Sequence, residues 1–184
     1  MAGKYQSFDP AAEVDGYSML SLIQCLRKEE IHPFLVRHGL TNIEPEKWYP
    51  VQKWLDVLSD LAEVRPGQAM FDFVAVGMKI METAQFPPEL AAMPFAQVVM
   101  GLAENHPTHH RNGYTGKLTC ELVGYNHAKI TVRAPYPDDM WYGIMYGAAK
   151  RYLPHGTSFT VFYDEAEPRR EQGGEYTIVH IKWE

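Results

Sequence analysis

Hydrophobic and polar positions divide this chain into two stretches of different period. From residue 117 onward the period is two. Leu118, Cys120 and Leu122 alternate with Thr119 and Glu121, and Ile130, Val132 and Ala134 alternate with Lys129, Thr131 and Arg133, the signature of half-buried strands. Gly124-Tyr125-Asn126-His127 supplies turn chemistry between them. Pro135 and Pro137 stop the second strand, and Asp138 or Asp139 caps a helix expected over 138–152. Leu153-Pro154-His155-Gly156 ends that helix. Phe159, Val161 and Tyr163 predict a third strand, and Thr177, Val179, Ile181 and Trp183 a fourth.

Upstream the spacing is three and four. Met19, Leu20, Ile23 and Leu26 predict a helix over 17–29, broken at Ile31-His32-Pro33 and followed by a short turn that stops at Gly39. Pro50 suits a first helical position, with Val51, Trp54, Leu55, Leu58 and Leu61 forming one stripe behind it. A helix over 68–84 carries Phe71, Val74, Ala75, Met78 and Met81 on one face and Phe73, Val76 and Ile80 on another, so it is expected to be central. Phe95, Val98, Val99 and Leu102 give a further stripe over 89–104, shortened or kinked by Pro94. The expected fold is α+β: an N-terminal helical layer packed on a four-stranded antiparallel sheet whose own helix crosses it. All 184 residues are expected to form a single domain, with a flexible arm over 1–15, a helical part over 16–113 and a sheet part over 114–184.

A net charge of −6 argues against a nucleic-acid footprint or a polybasic membrane anchor. Cys25 and Cys120 are far apart and outside any C-x-x-C, so neither a disulfide framework nor a thiolate zinc site is expected. Met1 to Pro10 has no apolar leader core, and no stretch reaches the roughly 18 uninterrupted apolar residues of a membrane span. The chain therefore reads as cytoplasmic, with no stable membrane insertion.

His106, His109 and His110 form the densest group of metal-ligating residues, yet Pro107 divides them and no acidic or thiolate partner stands at ligand spacing. They read as turn histidines. Asp138 and Asp139 read as cap and first-turn acid, and Arg169-Arg170 as a solvated charge cluster. Gly143 and Gly147, one turn apart in the expected helix, predict close approach of another backbone. That helix shows apolar groups on more faces than one buried side needs, so a homodimer is expected. No catalytic set stands out.

The order of elements, together with Ile130-Thr131-Val132-Arg133-Ala134-Pro135-Tyr136-Pro137, Tyr142-Gly143-Ile144-Met145-Tyr146-Gly147 and Val179-His180-Ile181-Lys182-Trp183, resembles one superfamily. It joins haem–nitric-oxide-binding (H-NOX) domains, 4-vinyl-reductase domains and TRAPP vesicle-tethering subunits. The stretch from Phe95 to His110 is similar to that family's long helix ending at a histidine. The resemblance covers the C-terminal half well and the N-terminal half in outline. It implies binding of a small molecule or lipid between the helical layer and the sheet. In the haem-binding branch a helix histidine ligates iron and a Tyr-x-Ser-x-Arg pattern holds the propionates. His106 is then the candidate haem ligand and Tyr136 the candidate porphyrin contact. Asp138 and Met140 stand where the Ser and Arg would be, and a carboxylate repels a propionate where a guanidinium binds it.

The function expected on this basis is a non-enzymatic ligand-binding or sensor domain, without haem, for an apolar or tetrapyrrole-like small molecule or a lipid. The resemblance implies a cavity between the layers, and periodicity places Phe71, Phe73, Met78 and Met81 on one side of it and Trp54, Trp141, Tyr146 and Phe159 on the other. The alternatives are a haem-dependent gas sensor, a tetrapyrrole-processing enzyme akin to 4-vinyl reductase, and a dimerising adaptor without ligand.

Overall fold

The structure, a computed structural model, describes residues 3–63 and 72–184. The chain forms two compact units, one of Met1–Asp72, Pro107–Gly116 and Pro135–Pro137, the other of Phe73–His106, Lys117–Ala134 and Asp138–Glu184. Among the described residues no helix is long and apolar enough to cross a membrane.

The first unit is built around a strand that the sequence pattern conceals. β1 (Glu13–Asp15) is the middle of a three-stranded antiparallel sheet, between β2 (Trp48–Pro50) and β3 (His110–Arg111). Val14 faces Tyr49 on one side and His110 on the other. The expected flexible arm is thus tied down at this end, and earlier too: Tyr5 is buried and its amide donates to Ser59 Oγ at 2.9 Å. Strands of two or three residues are too short for alternation to reveal.

Asp15 caps α1 (Gly16–Ile23), its carboxylate accepting the Ser18 amide at 2.7 Å. This helix ends at Ile23, earlier than the expected 17–29. α2 (Lys28–Arg37) follows and carries Pro33 inside it rather than stopping there. A proline in the second turn forfeits one backbone hydrogen bond, and burial of Ile31 and Leu35 on either side of it offsets that loss. Gly39, at φ +70°, closes α2, with the Leu40 amide donating to Leu35 O at 2.8 Å and the Gly39 amide to Val36 O at 3.1 Å. Those two bonds satisfy carbonyls that a helix end leaves open. α3 (Val51–Ala62) buries Val51, Trp54, Leu55, Leu58 and Leu61 as the spacing predicts. Pro50 sits one residue earlier than expected, at the cap.

The second unit holds α4 (Phe73–Thr83), α5 (Phe95–Asn105), α6 (Asp138–Tyr152) and a four-stranded sheet of β4 (Lys117–Gly124), β5 (His127–Arg133), β6 (Phe159–Tyr163) and β7 (Thr177–Trp183). The order is β4-β5-β7-β6, antiparallel throughout. Ala128, Ile130 and Val132 of β5 and Val179 and Ile181 of β7 are buried, in register across the pair. Residues 68–71 of the helix expected over 68–84 lie outside the described residues. Pro94 caps α5 instead of kinking it, and a separate 3-10 turn, Pro88–Ala92, precedes it.

α6 organises this unit through bare backbone on one side. A Cβ on Gly143 would lie 2.1 Å from Val74 O, one on Gly77 would lie 2.3 Å from Met140 O, and one on Gly147 would lie 2.7 Å from Met81 Cβ. Three glycines therefore let α4 and α6 touch main chain to main chain. On another side Tyr142 donates its hydroxyl to Val161 O at 2.8 Å, and Tyr146 meets the Phe159 ring edge-on at 5.1 Å. The apolar surplus on α6 that suggested a homodimer is covered by α4 and the sheet within this unit.

Candidate functional site

α5 ends where Pro107 interrupts it, and the chain tightens into a 3-10 turn, His106–His109. The turn starts at a buried imidazole. His106 is only 8% exposed and meets the Trp141 ring edge-on, centroids 5.4 Å apart at 75°. Trp141 is 7% exposed, and its indole N–H has no hydrogen-bond partner among the described residues. Leaving a buried donor unpaired costs about 1–3 kcal/mol, and native structures keep few such groups without a reason. The end of α5 and the first turn of α6 thus bring a buried imidazole and a buried indole ring together.

At the start of α6, Asp138 is 1% exposed. Its carboxylate accepts the Thr177 hydroxyl and the Glu171 amide, the latter at 3.0 Å, while its own amide donates to Glu171 Oε1 at 2.7 Å. Burial pushes its pKa up, only partly countered by the bonds from Thr177 and Glu171. Arg170 donates to Ala134 O from the same loop. Arg169 stacks 4.1 Å over the Tyr163 ring and bonds Asp139 at 3.2 Å. The cap expected at Asp138 is therefore a tertiary clamp, and the arginines expected in solvent hold the 164–176 loop against α6 and β5. Nothing in local spacing signals the contacts of Asp138 with Glu171 and Thr177 or of Arg170 with Ala134, because those partners are more than thirty residues apart.

The three histidines near residue 108 separate by partner. His109 Nδ1 lies 2.7 Å from Asp15 Oδ2. Burial raises the Asp15 pKa, but the bonds with His109 and the Ser18 amide outweigh it and hold the carboxyl below its ordinary value. His110 Nε2 lies 2.6 Å from the Tyr136 hydroxyl, and Tyr136 is buried, with a pKa raised first by burial and then by Asp15. Its phenol therefore stays protonated. The sequence grouped the histidines; the fold assigns His109 and His110 to the first unit and His106 to the second.

The residues expected to line a pocket fall into distinct contacts. Trp54 is buried on α3 in the first unit. Phe71 lies outside the described residues. Phe73 and Met81 are buried on α4 and Met78 is half-buried, with Met78 and Met81 against Gly147. Tyr146 pairs with Phe159 at the sheet, and Trp141 pairs with His106.

No family model matches the sequence, and no curated protein matches it. Solved structures do match. An oxygen-binding H-NOX domain related to soluble guanylate cyclases, in its oxygen complex, superposes with a TM-score of 0.64 at 17% identity, covering 92% of this chain and 92% of that one. An H-NOX protein from S. oneidensis in the Fe(II)NO state gives 0.66 at 14% identity, covering 92% and 99%. A third, from work on haem distortion in the H-NOX family, gives 0.69 at 17% identity, covering 92% of each. The fold is H-NOX-like. At this identity the likeness concerns the path of the backbone. The H-NOX-like fold makes the strand-strand-helix-strand-strand order of residues 117–183 intelligible as one structural unit.

Proposed function

We propose that this H-NOX-like chain is a ligand-binding sensor domain for an uncharged, mainly apolar small molecule bearing a hydrogen-bond acceptor, and that haem is not its ligand. The observation that carries the reading is the buried Trp141 N–H beside His106. A ligand carbonyl or ether oxygen accepting that N–H would remove the cost of the unpaired donor.

The case against haem rests on Asp138 and Met140. The resemblance assigns their places to a Ser and an Arg that hold propionates. Here the Asp138 carboxylate is buried and already takes hydrogen bonds from Thr177 and Glu171. Met140 is buried and its backbone packs on Gly77. A carboxylate facing a propionate without a guanidinium between them is repulsive in a medium of low dielectric. The neighbours described as oxygen- or NO-ligated therefore share the backbone path with this chain, and the proposal does not extend their cofactor to it.

Nile red, an apolar dye with a carbonyl acceptor, is a suitable probe. The parent is expected to bind it saturably with a rise in fluorescence. Trp141→Phe removes the donor and keeps the ring plane. It is expected to weaken binding roughly 2- to 10-fold, the worth of one neutral hydrogen bond. Absence of saturable binding contradicts the proposal and leaves the adaptor reading, while equal binding by the variant contradicts the role given to the Trp141 N–H.

A further inference from the structure

The four-stranded sheet has a second face. On β5 the buried Ala128, Ile130 and Val132 alternate with His127, Lys129 and Thr131, so the latter three lie on the opposite side. Register sets His127 beside Lys182, Lys129 beside His180, and His180 beside Phe162. On this face a continuous chain of titratable groups forms. His127 Nε2 is 2.8 Å from His180 Nδ1, and His180 Nε2 is 3.0 Å from Asp164 Oδ2. The Phe162 ring stacks on His180 at 5.0 Å and 11°. His180 is thereby 8% exposed although it lies on the face opposite Ala128, Ile130 and Val132.

The chemistry of the donors fixes the protons. An ionised Asp164 only accepts, so His180 Nε2 carries a hydrogen and His180 Nδ1 is the acceptor. His127 Nε2 must then donate, which leaves His127 Nδ1 as the one unprotonated nitrogen not yet engaged in the chain. A first proton added there keeps both hydrogen bonds, since every donor still faces an acceptor. A second proton must go to His180 Nδ1. That sets two N–H donors and two positive charges against each other at 2.8 Å, and the contact cannot persist.

From these contacts we infer that His127, His180 and Asp164 form a proton-binding site that takes one proton without rearrangement and opens on the second. The surrounding charges set its working range. Lys182 lies near His127 and over Phe162, and opposes protonation. Burial, His180 and Lys182 together lower the His127 pKa below its ordinary value. Bonds from His180 and the Ala166 amide hold the Asp164 carboxyl below its own, with a smaller contribution from Lys129, so the carboxylate stays charged throughout the imidazole range. Lys129 is itself paired with Glu121 of β4 at 3.0 Å. Opening would act on one corner of the sheet, because His127 begins β5 directly after the turn and Trp183 donates its amide to Asn126 O at 3.1 Å.

Long-range 1H–15N NMR of the imidazoles from about pH 8 to about pH 4.5, a range spanning the ordinary imidazole value, tests this on the intact chain. His127 and His180 are expected to titrate in two coupled steps. The Nε2–H to Nδ1 hydrogen bond should survive the first and vanish in the second, together with shifts of the Gly124, Asn126 and Trp183 amides. In Asp164→Asn, the first step should move to lower pH, since no carboxylate offsets the charge. Two independent single-step titrations with the corner amides unmoved, or no displacement of the first step in Asp164→Asn, would overturn the inference.

Discussion

Asp138 is held by a hydroxyl, an amide and a carboxylate from residues 171 and 177, so its removal should be felt well beyond the first turn of α6. Asp138→Ala leaves the Thr177 hydroxyl and the Glu171 amide without this acceptor, and is expected to destabilise by about 1–3 kcal/mol in denaturant unfolding. The pH dependence has a definite sign. The folded pKa of Asp138 is raised from 3.8, so the folded state holds the proton more tightly than the unfolded chain. The stability this group contributes is therefore greatest below that value and declines as pH rises through the raised one. The difference between parent and variant should shrink over the same window, and a difference that grows with pH contradicts it. His127 acts in the other sense, because its folded pKa is lowered from 6.5. Stability is lost as pH falls from that value through the lowered one, and His127→Gln should abolish this component of the slope. Single residues were the least legible level of the sequence. Asp138 read as a cap and Arg169-Arg170 as a solvated charge cluster, whereas their partners lie on α6, β6, β7 and the 164–176 loop, which no periodicity connects to them.

At the scale of elements the α4–α6 contact is the clearest agreement between sequence and structure. Two glycines a turn apart predicted close approach to another backbone, and the approach is to Val74 O, Met78 O and Met81 Cβ of α4. Gly77 of α4, which returns the contact, was legible only once its partner was known. Adding a methyl group to a helical glycine gains about 1 kcal/mol of intrinsic propensity. At Gly143 that gain should be reversed, because the new Cβ meets a carbonyl oxygen that cannot swing aside. Gly143→Ala is expected to destabilise by about 1–3 kcal/mol or more, and Gly147→Leu to do so by a similar or larger amount. Thermal melts at or above that of the parent would show that the helices separate without loss. The elements misread from sequence share a cause. α2 runs through Pro33 because tertiary burial of Ile31 and Leu35 outweighs a local break, and β1, β2 and β3 are too short for a period to register.

For the molecule as a whole, the α+β class and the order of the five elements β4, β5, α6, β6 and β7 follow from period-two alternation, proline stops and capping acids, and the H-NOX-like backbone agrees with that reading. The first unit's sheet does not follow, since its three strands are drawn from residues near 14, 49 and 110. The candidate site was half legible. His106 and Trp141 were each named, but their contact joins two helices and an unpaired indole N–H leaves no trace in a sequence. The proposed function combines an H-NOX-like backbone with Asp138 and Met140 at the places the resemblance gives to a Ser and an Arg. Titrating the purified chain with ferric haem, under reducing and oxidising conditions, examines this most directly. The account predicts broad, non-saturating absorbance, identical in parent and His106→Ala. A sharp Soret band that saturates at one haem per chain and disappears in His106→Ala would contradict it.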